Sequence, residues 1–127
     1  MNNNTSKINL AGTLSANING DDRGKIHFQN SNAKIDGNVE DVSLIFENSH
    51  SLNNAISGDI GGLDILAINK GTLTFDKEPT GTITTVQVGD GATLDIGDKT
   101  LHSTGDKADG EGVIFCLSSY LTTVTKS

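Results

Sequence analysis

Apolar and polar residues alternate along most of this chain in short runs that end at glycine, asparagine or aspartate. Four triplets stand out: Ile26-His27-Phe28, Leu44-Ile45-Phe46, Leu73-Thr74-Phe75 and Leu94-Asp95-Ile96. Four corners accompany them: Ile18-Asn19-Gly20, Ile35-Asp36-Gly37, Ile56-Ser57-Gly58 and the looser Ile96-Gly97. A period of two predicts half-buried strands, and the Gly, Asn and Asp between the runs predict tight turns. No stretch carries a convincing helical period. Corner and triplet recur about every 17 to 26 residues, the range of stacked repeat architectures. Such a unit cannot bury its apolar side alone, so neighbouring units must stack.

Residues 1–7 are polar and are expected to be disordered. Residues 8–104 carry the repeats, residues 105–112 (Gly105-Asp-Lys-Ala-Asp-Gly-Glu-Gly112) read as a flexible link, and residues 113–127 form an atypical tail or cap. Two all-β architectures fit short strands separated by turns. An antiparallel β-sandwich is one. A parallel β-helix (β-solenoid) is the other, and it also demands the same residue types at equivalent places in each coil. The matched corners and triplets favour the solenoid, with about four to five rungs. Unequal unit lengths fit it as well, because insertions bulge out as loops. At about 4.8 Å per rung the stack is roughly 20–25 Å tall, a stub with exposed ends rather than a finished rod. Phe28, Phe46 and Phe75 are expected to form one aromatic core stack, and Asn30/Asn32 and Asn53/Asn54 to form asparagine ladders.

Composition narrows the function classes. Of the 127 residues, 34% are hydrophobic and 4% aromatic, with no Trp, which suits a narrow core better than a large globular one. The fifteen glycines and single proline (Pro79) indicate tight turns. The formal net charge is −7, with one Arg and scattered Lys, so no basic face exists for nucleic acid or anionic lipid. The only cysteine is Cys116, which excludes an intramolecular disulfide and a multi-cysteine metal site. The start, Met-Asn-Asn-Asn-Thr-Ser-Lys, is not expected to act as a signal peptide. The longest apolar run, Val113–Leu121, falls short of a membrane span.

Gly71-Thr-Leu-Thr-Phe75, the run from Ile83 to Gly97, and Phe46-Glu-Asn-Ser-His-Ser-Leu52 resemble the passenger repeats of bacterial autotransporters. The Asn/Ile/Lys-rich style is most similar to the rickettsial outer-membrane surface-antigen group. The resemblance covers residues 8–104 and is one of style, since its motifs are degenerate. It implies a parallel β-helix exported through the outer membrane, displayed on the cell surface and acting in adhesion to host cells. These 127 residues are expected to include neither that family's signal peptide nor its translocator, since an eight-stranded barrel would consume about the whole sequence. It is therefore expected to be a passenger fragment.

Candidate chemistry is sparse. Gly89-Asp-Gly-Ala-Thr-Leu-Asp95 has the flavour of a calcium β-roll turn, but it occurs once, where tandem copies are needed, so an Asp-Gly turn is expected. The acid pairs Asp21/Asp22, Glu40/Asp41, Asp59/Asp64 and Asp95/Asp98 could converge on stacked rungs as in solenoid enzymes that cut polysaccharides. One Arg, one Tyr and no Trp supply neither the cation nor the sugar platform of such a site, so solvated turns are expected instead. His27, His50 and His102 lack metal-ligand spacing, and His27 is expected to face outward between Ile26 and Phe28. Cys116, in an apolar run, is expected to be inert. The expectation is a non-enzymatic, adhesin-type display module with no catalytic, cofactor-binding or metal residues and no cofactor. Its partner would be a host-cell surface protein or glycan. The alternatives are a carbohydrate-active β-helix enzyme fragment and a non-functional remnant of a split gene.

Overall fold

The chain winds as a parallel β-solenoid in a computed structural model that describes residues 7–20, 24–97 and 99, with the backbone of 106–108 and 113–116. The first coil holds β1 (Lys7–Leu10), β2 (Thr13–Ser15) and β3 (Ile18–Asn19). The second repeats it with β4 (Lys25–Phe28), β5 (Lys34–Asp36) and β6 (Val39–Glu40). The third holds β7 (Ser43–Phe46), β8 (His50–Ser51) and the single helical turn α1 (Leu52–Ala55). Then come β9 (Leu63–Ile68) with β10 (Thr72–Thr74), β11 (Ile83–Val88) with β12 (Thr93–Gly97), and finally β13 (Asp106–Ala108) with β14 (Val113–Cys116). The last two strands fall in the stretch read from sequence as link and tail.

Every strand pairing among the described residues is parallel. That is the expected solenoid, and it rules out the antiparallel sandwich. One wall is the sheet β1-β4-β7-β9-β11-β13. Its inward rows are Ile8, Ile26, Leu44, Leu66, Val86 and, beside them, Leu10, Phe28, Phe46, Ile68, Val88. Down the first row, from Ile8 through Ile26, Leu44 and Leu66 to Val86, the coils are 18, 18, 22 and 20 residues long. Inward side chains close the axis: Ile26, Phe28, Leu44 and Phe46 are all fully buried.

The third coil is the longest because it belongs to two sets of walls. From the start, β2 and β5 build a second wall that ends at a bridge from Ile35 to Ile56, and β3 and β6 build a third that ends at a bridge from Val39 to Ile60. With β8 a new wall begins, β8-β10-β12-β14. The turn α1 joins old wall to new. Ser51 caps it by accepting from the Asn54 N–H at 3.3 Å, and Leu52 and Ala55 are its buried residues. Four residues are too few to leave a helical period in the sequence.

Lys77 closes the second wall. One coil back, the Ile35 and Gly37 carbonyls accept from the Ser57 and Gly58 N–H groups at 3.0 Å each. At the wall's end no strand supplies such donors to Ile56 and Gly58. The Lys77 ammonium donates to both carbonyls instead, at 2.7 Å to Gly58. Thr80 does the same for the third wall, its N–H and Oγ1 both donating to the Ile60 carbonyl.

Two expected equivalences do not hold. Phe28 and Phe46 do stack, with ring centroids 4.5 Å apart and planes 11° from parallel, but Phe75 is not a third member. Phe28 to Phe46 is one coil, whereas Phe46 to Phe75 is about a coil and a half, so Phe75 follows β10 on the new wall and Ile68 continues the phenylalanine row. Ile18 is likewise shifted. It pairs with Val39, while Ile35 pairs with Leu14 and bridges to Ile56.

Candidate functional site

Along the third wall the coils leave a shallow polar groove of about 380 Å³. One rim is a column at equivalent positions of successive coils: Asn17, Asn38, Asp59 and Thr80. The other is Asn19, Glu40 and Gly61. Between them lie Ile18, half-buried, and Val39, buried.

The first rim is an asparagine ladder. Asn17 Oδ1 accepts from the Asn38 N–H at 2.9 Å, and Asn38 Oδ1 accepts from the Asp59 N–H at 2.8 Å. Backbone bonds run back the other way, from the Ile18 N–H to the Asn38 carbonyl at 2.8 Å and from the Val39 N–H to the Asp59 carbonyl at 2.9 Å. Each junction is thus tied by donors from both coils, and the rim is held rigid. The residues before Asn38 and Asp59 pack so closely on the preceding coil that only glycine fits. A Cβ on Gly37 would sit 2.1 Å from the Ala16 carbonyl oxygen, and one on Gly58 would sit 2.2 Å from Asn38 Oδ1.

On the second rim Asn19 Nδ2 donates to Glu40 Oε1 at 3.1 Å. Gly61 then leaves a notch, where a Cβ would meet the Glu40 Cβ at 2.9 Å. Burial holds the Lys77 ammonium below the usual lysine range, and the charges of Asp76 and of Asp59 on the first rim oppose that shift.

Of the acid pairs expected from sequence, the two described in full, Glu40/Asp41 and Asp59/Asp64, are each split. Glu40 lines the groove, whereas Asp41 turns the backbone with φ of 57°. Asp59 lines the groove, whereas Asp64 lies on β9 in another wall. The groove joins Glu40 of one pair to Asp59 of another. Asp95 Oδ1 accepts from the Gly97 N–H at 3.0 Å within its own turn, and Asp21, Asp22 and Asp98 lie outside the described residues.

His27 projects from the outer side of β4 as expected, half-buried, with Nδ1 3.7 Å from Glu47 Oε2. Burial is the main cause holding its pKa below 6.5, followed by the Lys7 charge, with Glu47 opposing. His50 is a core residue, 8% exposed. Its ring stands edge-on to both Phe28 and Phe46 at 5.5 Å, and Nε2 bonds the Asn30 carbonyl at 3.0 Å. Burial lowers its pKa also, against that hydrogen bond. His102 and the Cys116 side chain lie outside the description. Among the described residues no three His, Cys, Asp or Glu gather as a metal-ligand set. No helix among them is long and apolar enough to cross a membrane.

The expected asparagine ladders are not at the expected residues. Asn30 Oδ1 accepts from the Asn32 N–H inside one turn, and the Asn53 N–H donates to Asp76 Oδ1. The true ladder residues, Asn17 and Asn38, carry a signal in the chain: Ala16-Asn17-Ile18, Gly37-Asn38-Val39 and Gly58-Asp59-Ile60 recur every 21 residues. No family model, no curated protein and no solved structure matches the chain.

Proposed function

We propose that this chain is a non-enzymatic display module, a rigid β-solenoid segment that presents polar faces to a surface on a host cell. What supports the reading is the uninterrupted parallel stacking of the β1-β4-β7-β9-β11-β13 wall together with a laddered rim. Such a scaffold holds side chains at fixed spacing at little entropic cost on binding. Glu40 and Asp59 share the groove, but neither an arginine nor an aromatic ring lines it to hold and stack a sugar for cleavage. Resemblance to autotransporter passengers supplies the setting: the outer surface of a bacterium, with a host protein or glycan as partner.

The test is saturable binding of the labelled, purified chain to intact animal cells, run beside incubation with neutral and acidic polysaccharides. Cell binding without new reducing ends is the expected result. Polysaccharide cleavage that disappears in Glu40→Gln or Asp59→Asn would replace this reading with an enzymatic one.

A further inference from the structure

We propose that the groove along Asn17, Asn38, Asp59 and Glu40 binds an extended neutral polysaccharide lying along the solenoid axis. This rests on the display reading and names the ligand class for it.

The ladder fixes the direction of each amide. Asn17 and Asn38 commit Oδ1 to the next coil, so the planar amide turns each Nδ2 away from that bond, and both residues line the groove. Neither Nδ2 has a partner among the described residues. The same column then changes sign of function at Asp59, where a carboxylate replaces the amide and offers acceptors only. Across the groove the Glu40 carboxylate is braced by Asn19. The groove therefore presents outward donors on two coils and carboxylate acceptors on two. Sugar hydroxyls match that mixture, since each can accept from an amide and donate to a carboxylate. Coils follow one another at about 4.8 Å along the axis, so linked rings laid across them meet amide donors first and carboxylate acceptors further on.

The other ligand classes fit less well. Two carboxylates on a chain of net charge −7 repel sulfated or uronate polymers. A protein partner would want an aromatic or arginine anchor, and no such residue lines the groove. The notch at Gly61 widens the groove where a side chain would narrow it.

Affinity electrophoresis of the purified chain through gels containing a neutral glucan or mannan, or containing hyaluronan or heparin, tests the proposal. Retardation is expected in the neutral gels only. Glu40→Ala with Asp59→Ala should weaken it by about tenfold or more, since each lost partner is a charged acceptor. The exposed Lys70→Ala control should leave it unchanged, with unfolding midpoints of all variants compared. Asn17→Asp keeps the ladder acceptor but removes the outward donor, so it should also weaken binding without loosening the coils. No retardation, retention only in the anionic gels, or full retention by the variants overturns the proposal. Cells stripped of surface glycans that still bind the chain would overturn it while leaving display intact, whereas failure to bind untreated cells sinks display alone.

Discussion

Phe46 offers the sharpest test of the core. Its ring is fully buried and lies 4.5 Å from that of Phe28, nearly parallel, with the His50 ring edge-on at 5.5 Å. Truncation to alanine removes the ring from both contacts and leaves a cavity that stacked backbone ladders above and below cannot easily close. The cost is set at about 3–5 kcal/mol by the usual penalty for burying a void of that size. Domains are stable by about 5–15 kcal/mol, so Phe46→Ala should stay folded but stand near its limit. With a urea slope of about 2 kcal/mol/M, the midpoint should fall by roughly 1.5–2.5 M. Phe28→Ala and the double variant complete a cycle whose coupling should be about 0.5–1.5 kcal/mol, the increment for a stacked pair beyond its area. Urea unfolding followed by circular dichroism reads all four proteins. A single-variant loss under about 0.5 kcal/mol, or strict additivity in the cycle, would refute the buried stack.

Three further outcomes follow from the same geometry. His50 and His27 both titrate below 6.5 in the folded chain, so the unfolded chain takes up protons first: stability is fully present above about pH 6.5 and falls as pH drops through that value toward the folded pKa values. His50→Leu, which matches the Leu73 and Leu94 that continue its row, should flatten part of that slope and leave the His27 share; an unchanged pH profile of the unfolding midpoint counts against a buried neutral His50. Gly58→Ala should cost about 3 kcal/mol or prevent folding, because the new Cβ would meet the Gly37 carbonyl oxygen at 2.5 Å as well as the ladder amide, and a wild-type midpoint would show that the coils are not this close. Lys77→Met keeps the aliphatic stem but strips the Ile56 and Gly58 carbonyls of their donor, for an expected loss of about 1–3 kcal/mol in denaturant unfolding; a change within about 0.5 kcal/mol would mean that water serves those carbonyls equally well.

Period-two alternation and glycine corners were enough to reach a parallel solenoid, because each coil must put the same residue type over its neighbour. Ile26-His27-Phe28 over Leu44-Ile45-Phe46 was legible for that reason. The alignment of Phe75 with Phe46 was not, since the third coil carries both an old wall and a new one and so shifts every later triplet by a side. The groove was half legible. Glu40 and Asp59 attract notice as acids, but pairing them with their neighbours in sequence hides that stacking brings together residues a full coil apart. Asn17 and Asn38 do not stand out among the chain's many asparagines, because a ladder places one asparagine per coil rather than two in one turn. The role of Lys77 has no sequence signature at all: a lysine in a turn looks solvated until the wall it closes is seen.

The parallel stacking also fixes how the chain bears load. The bonds between coils point along the axis, so under end-to-end tension the junctions carry the load in series and can give way one at a time. Peeling a terminal coil releases its 18 to 22 residues while the next junction stays intact. Each step lengthens the tether by roughly 60–80 Å of extended chain. The same segment resists sideways bending through every wall at once. Tethered between two cells, it would be stiff across its width and would pay out length in coil-sized increments when pulled.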